Sequence, residues 1–237
     1  MWETTVNGKV LHFHLAGINN QNFIMRDEET GTFWQQVSGE AIFGPLKGEK
    51  LRPVVHDEVT FGLWKQEQQN GRVLKPDPSL PPTKYAPANW EERMAKVPVA
   101  TQTLDKTIEP RTLVVGVSAG NASKAYPLDV LAKQSPVVDE IGGTPIVLTV
   151  ARDGKSVRAF ERVVDGRTLE ILQKTDSSEL LFVDTQTGSE WDFSGKAIRG
   201  QMSGRQLRQI SVLKDYWFDW KNYHPATTIY ELGNRGL

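Results

Sequence analysis

The sequence predicts a mainly β protein, α+β with few short helices, built from two diverged copies of one β-rich module, the first copy truncated at its N-terminus. Three observations carry this expectation. Turn and tryptophan motifs recur in the same order 156 to 158 positions apart. The dipeptides Asn7-Gly8 and Asp165-Gly166 favour two-residue hairpin turns, whose central positions need positive φ. The 20 Gly and 13 Pro of the 237 residues, with 7 Trp, indicate many tight turns around packed aromatic rings.

The repeat comes first because it sets the architecture. Val6-Asn7-Gly8-Lys9 resembles Val164-Asp165-Gly166-Arg167. Asp27-x-x-Thr30-Gly31-Thr32-x-Trp34 matches Asp184-x-x-Thr187-Gly188-Ser189-x-Trp191. Ser38-Gly39-Glu40-Ala41-Ile42-x-Gly44 matches Ser194-Gly195-Lys196-Ala197-Ile198-x-Gly200. The same spacing carries Gly48 onto Gly204, Leu51-Arg52 onto Leu207-Arg208 and Trp64-Lys65 onto Trp220-Lys221. In the Asp-x-x-Thr-Gly stretch the Asp can accept backbone N–H groups ahead of it, and the Gly can take the left-handed position. The flanking apolar runs Asn22–Met25 and Leu180–Val183 read as strands. Phe61 and Trp64, like Trp217 and Trp220, lie three apart, which puts both rings on one helix face closing a core.

These motifs divide the chain into a first, incomplete module at 1–75, a Pro-rich connector at 76–111 and a second module at 112–237. The connector holds one helical turn near Trp90–Met94. In the second module, Thr112–Val117 and Ser123–Tyr126 read as a hairpin around Ala119-Gly120-Asn121. Pro127–Lys133 reads as a short helix, and Pro145–Val150 and Ser156–Arg162 as strands. Nothing upstream matches them in the first module, where only Met1–Thr5 precedes the Val-Asn-Gly turn. The chain therefore reads as the remainder of a longer polypeptide. Its Trp2–Thr5 edge is expected to be covered by a protein partner, by self-association or by the connector.

Composition excludes several functions. With 28 Lys and Arg against 29 Asp and Glu, no basic field for nucleic acid is expected. No apolar run reaches the roughly 20 residues of a membrane span. Met1–Thr5 leads into a polar strand pattern rather than a secretory leader. The absence of cysteine removes disulfides, zinc–thiolate sites and cysteine nucleophiles. No cofactor motif is present: the glycines at 39, 44 and 48 are too widely spaced to cradle phosphate, and no Gly-x-Ser-x-Gly elbow occurs.

The combined pattern, Asp-x-x-Thr-Gly-Ser/Thr-x-Trp followed by Gly-x-Ala-Ile-x-Gly, resembles the large bacterial family catalogued as domain of unknown function three-one-seven-nine. Lys124-Ala125-Tyr126-Pro127-Leu128 and Asp139-x-Ile141-Gly142-Gly143-Thr144-Pro145 are similar to the same family's second half. The resemblance brings no activity with it. It implies an extracytoplasmic setting, since such proteins often look exported or lipid-anchored. Many relatives carry Cys-x-x-Cys where this chain has Ala151-Arg152-Asp153-Gly154. That departure puts any metal or redox role in doubt here.

Three sets of residues are candidates for chemistry. His12 and His14 alternate, so on a strand both imidazoles leave one face and can begin a metal site; with no third ligand at short range, a solvent-facing pair on an amphipathic strand is the preferred account. Asp27 and Asp184 are carboxylates repeated at identical places, and they suit either acid–base work between facing modules or the organisation of their own hairpins. Trp34 and Trp191 suit a ligand-stacking platform or turn packing. Turns and core account for every repeated residue, so a non-catalytic binding or scaffolding protein is the leading expectation. A hydrolase using Asp27, Asp184 or His56 in a cleft between the modules is the alternative, with a remnant of a metal-dependent or redox protein third. A concave pocket with perturbed carboxyl groups would favour catalysis, and an exposed apolar patch would favour binding.

Overall fold

The structure, a computed structural model, describes residues 1–19, 21–101, 104–175 and 177–231. Each hairpin dipeptide closes as its chemistry dictates. Thr5–Val6 pairs with Lys9–Val10 and Val163–Val164 with Arg167–Thr168. φ is 50° and 77° at Asn7 and Gly8, and 49° and 76° at Asp165 and Gly166. Positive values at both central positions match the twist of the flanking strands.

Each hairpin leads into a four-stranded antiparallel meander. The first runs Phe13–Asn19, Asn22–Asp27, Phe33–Gln35 and Ala41–Phe43; the second runs Ile171–Gln173, Leu181–Asp184, Glu190–Asp192 and Ala197–Arg199. Trp34 stands opposite Met25 and Ala41, and Trp191 opposite Phe182 and Ala197, with a register shift beside both tryptophans. Trp34 sits in a core with Val6, Leu11, Ala41 and Leu51. Trp191 occupies the like place among Leu169, Ile171, Phe182 and Leu207.

Two further four-stranded sheets enclose the core around Val115, Leu131, Ile146 and Leu148. One orders Arg208–Ile210, Val157–Glu161, Thr144–Val150 and Val137–Ile141, all antiparallel. The other orders Val212–Tyr216, Leu113–Ala119 and Ala122–Pro127, with Thr228–Ile229 added in parallel. Helices are few and short: α1 (Phe61–Glu67), α2 (Trp90–Met94), α3 (Leu128–Gln134) and α4 (Trp217–Tyr223). The protein is mainly β, as its sequence predicts. Among the described residues no helix is long and apolar enough to cross a membrane.

The expectation that α1 and α4 both close a core with paired rings holds for α4 alone. α4 buries Trp217, Phe218, Asp219 and Trp220. Trp220 lies flat on Gly116, where a Cβ would come within 2.2 Å of its ring, so only glycine fits there. α1 buries no residue, and Phe61 is 61% exposed, stacked on Trp64. α1 is held by Leu63, which packs against the core of Trp191, and by polar contacts to the strand Val157–Glu161 and the turn before it. Arg158, 5% exposed, gives paired hydrogen bonds of 2.7–3.0 Å to the carboxylates of Asp57 and Glu67. Thr60 caps α1 by accepting from Leu63 N and donates to Asp153. A buried guanidinium is tolerable only when such partners fill its donors.

Thr4 and Thr5 are covered by the hairpin, where Leu11 N donates to Thr4 O and Thr5 stands opposite Val10, and Trp2 is paired on one side. Trp2 bridges Pro53, with Glu3 N donating to Arg52 O and Val54 N to Met1 O. In this kind of antiparallel pair the N–H and C=O of Trp2 itself point away from Pro53. The Trp2 ring covers Gly39 as the Phe160 ring covers Gly195. Phe160, however, has strand partners on both sides, Gln209 and Val147. Among the described residues Trp2 has only the one. Among the described residues the connector's contacts lie elsewhere: Gln21 meets Pro98 and Ala100, and Arg111 donates to Val97 O.

Candidate functional site

The repeated Asp, Thr and Trp residues form two hydrogen-bond networks that agree atom for atom. Asp27 Oδ1 accepts from Thr30 N (2.5 Å) and Thr30 Oγ1 (2.8 Å), while its Oδ2 accepts from Trp34 Nε1 (2.8 Å). Asp184 repeats this with Thr187 N (2.6 Å), Thr187 Oγ1 (2.8 Å) and Trp191 Nε1 (2.9 Å). Gly31 and Gly188 close the turns at φ 71° and 65°. Burial pushes the Asp27 carboxyl up, but the bonds from Trp34 and Thr30 outweigh it and hold the group below its ordinary value. Asp27, Trp34, Asp184 and Trp191 are each at most 1% exposed, and every one is occupied in building its own turn.

The two histidines pair with different carboxylates. His12 stands just before the first strand of its meander, its Nδ1 2.6 Å from Glu29 Oε1, and this hydrogen bond raises its pKa. His14 Nδ1 lies 4.0 Å from Glu28 Oε1. Among the described residues no three His, Asp or Glu side chains gather as metal ligands.

A cleft of about 780 Å³ opens between residues of the first meander's side and the two larger sheets. Trp2, Asn22, His56, Asp215, Asp219 and Trp220 are among the residues that line it. Of the residues singled out for acid–base work, His56 alone reaches it. Asp27 and Asp184 stay inside their hairpins. His56 Nδ1 is 3.0 Å from Val54 O, and its Nε2 is 4.0 Å from Glu58 Oε1. His224 stacks on Trp220 at 3.7 Å, and burial lowers its pKa.

Asp215 is the penultimate residue of the strand Val212–Tyr216 and Asp219 lies in the first turn of α4; the turn from strand into helix brings the two carboxyl groups into hydrogen-bond contact. Burial, then the charge of Asp219, pushes the Asp215 carboxyl up to about 8. Burial raises Asp219 and Glu58 as well. Like charges in one dry site cannot both ionise at neutral pH, so the pair holds a proton. Asn22 Nδ2 donates to Asp219 Oδ2 at 3.0 Å, and the proton held by the pair hydrogen-bonds Asp215 to Asp219.

Sequence reasoning missed this pair. The repeat hides it, because the places matching Asp215 and Asp219 hold Val59 and Leu63. An Asp-x-x-x-Asp at a strand-to-helix junction beside two tryptophans was the one available signal. The first meander's long hairpin also leaves Leu15, Ile18 and Phe23 exposed, so the structure presents both a concave carboxyl site and an apolar patch.

The profile of the family described as protein of unknown function (DUF3179) matches residues 1–227, and the chain belongs to that family. Nothing among the curated proteins or the solved structures matches it.

Proposed function

We propose that the chain is a non-catalytic binding protein that takes an extended polypeptide segment into the cleft, added as a strand along the open edge at Trp2. The observation that carries this reading is the one-sided pairing of Trp2 beside a cleft of about 780 Å³. Backbone N–H and C=O groups on a strand edge require partners, and an extended peptide supplies them in register. The second sheet system supports the reading by example: the residue matching Trp2, Phe160, carries a strand on the corresponding side. The exposed apolar hairpin residues add surface of the kind that binding proteins present.

The test uses a fluorescein-labelled, acetylated peptide of alternating valine and threonine, read by anisotropy and by amide hydrogen exchange. Binding should protect the Trp2 amide. Trp2→Pro, which removes the outward N–H but not the bonds to Arg52 and Val54, should abolish binding, while Trp2→Phe keeps it. Binding without protection at Trp2, or no binding, would sink the proposal.

A further inference from the structure

We propose that the segment accepted along Trp2 runs antiparallel to it and carries a proline two residues before a branched apolar residue that docks on the Trp2 ring. The inference rests on the strand-addition reading above and names the direction and the residue pattern that the edge selects. Trp2 N, Trp2 O and Thr4 N have no hydrogen-bond partner among the described residues. Thr4 O is taken by Leu11 N, so the open edge ends at an occupied carbonyl.

The second sheet system shows what such an edge takes. Val147 stands antiparallel and opposite Phe160, the residue that matches Trp2. An ion pair beside each ring extends the match, Arg52 with Glu3 and Arg208 with Glu161. Two residues on, Arg162 N donates to Pro145 O, while Arg162 O is taken by Leu169 N as Thr4 O is by Leu11 N. Bonded pairs alternate along an antiparallel ladder, so Val147 is the residue that exchanges both backbone bonds with Phe160. The open groups at Trp2 and Thr4 ask for the same set. One residue exchanges two bonds with Trp2, and a carbonyl two places earlier accepts from Thr4 N. An N–H at that earlier place would face an occupied carbonyl. Proline has no N–H to lose there, and Pro145 fills the place in the second system.

Side chains follow from the same register. Opposed residues of an antiparallel pair share a face, so the residue bonded to Trp2 lies against its ring. Val147 and Phe160 pack in this way within one buried cluster. Trp2 is half-buried against the core of Trp34, which leaves ring surface for a branched apolar side chain to cover. A parallel segment would engage the edge differently. Its bonds slant, so Trp2 N and Trp2 O would reach the two residues flanking the one opposite.

The probe is acetylated, fluorescein-labelled Thr-Pro-Thr-Val-Thr-Thr, read by anisotropy beside the alternating valine–threonine peptide. N-methylation of its valine removes the N–H given to Trp2 O and should weaken binding about ten-fold, whereas N-methylation of the threonine that follows should change affinity by less than about two-fold. The proline peptide should bind about three-fold more tightly than its threonine counterpart, because proline is pre-ordered and leaves no N–H without an acceptor. The reverse order of the two N-methyl losses would show a parallel segment and overturn the inference. Equal or weaker binding of the proline peptide would overturn the residue pattern. Binding of the alternating peptide but not of this probe would overturn the pattern and leave strand addition standing. Failure of both to bind would overturn strand addition and the inference with it.

Discussion

The hairpin networks at Asp27 and Asp184 agree bond for bond, whereas α1 and α4, at matching places in the chain, do not. In the hairpins every donor lies within seven residues of the Asp it serves, so the same short motif builds the same turn wherever it stands. A helix is different, because what its face meets is set by chain far away. α4 lies on the sheet strand Leu113–Ala119 and sinks two tryptophans onto it. α1 meets a buried arginine and a turn near Asp153, and leaves Phe61 outside with Trp64 half-buried beneath it. The difference teaches that a short motif fixes its own geometry while distant packing decides what a helix carries. Asp215 stands before α4 and Asp219 on it, whereas Asp27 and Asp184 are consumed by their own turns.

The contrast between the helices is the easiest to break. Trp217→Ala empties a fully buried site and should cost about 3–5 kcal/mol in urea unfolding, while Phe61→Ala on the exposed face should cost no more than about 0.5 kcal/mol. Comparable costs would show that α1 closes a core after all.

The carboxyl pair sharpens the comparison through pH. The folded-state pKa of Asp215 is raised, to about 8, so folding retains a proton that the unfolded chain releases near pH 4. Stability contributed by that proton is present below pH 4 and is lost as pH rises toward 8. Asp215→Asn should therefore be nearly neutral at pH 4 and stabilising at pH 9, by about 2 kcal/mol once partial exposure is allowed for. A gain that does not change between the two pH values would remove the shared proton from the account.

The smallest effect tests the likeness of the turns. Gly31→Ala and Gly188→Ala should each cost about 1 kcal/mol, because both sit at positive φ. A new Cβ at Gly188 meets open space, and at Gly31 it meets only the movable end of Arg26. The two losses should agree within error in thermal unfolding; a clear inequality would show that the turns are alike in outline and not in energy.

Strand content, the two hairpin dipeptides and both Asp–Thr–Trp turns were legible in the sequence, because each follows from residues a few positions apart. The strands read at Thr112–Val117, Ser123–Tyr126, Pro145–Val150 and Ser156–Arg162 lie within two residues of those observed, whereas Val137–Ile141 and Val212–Tyr216 were not read at all. The candidate site was not. His56 was named for the wrong company, beside Asp27 and Asp184, since repetition drew attention to residues whose polar groups are consumed locally.

Local chemistry sufficed for the turns, the register of their tryptophans and the scarcity of helix, since steric limits on φ and short hydrogen bonds act without knowledge of the rest of the chain. Tertiary structure alone decided the cleft. Asn22 reaches Asp219 across 197 positions, Arg158 clasps Asp57 across 101, and Trp2 borrows a partner at Pro53 while its other side stays open. Burial, and with it the proton shared by Asp215 and Asp219, comes from which surfaces meet. That depends on packing summed over the whole chain, which no short window of sequence contains.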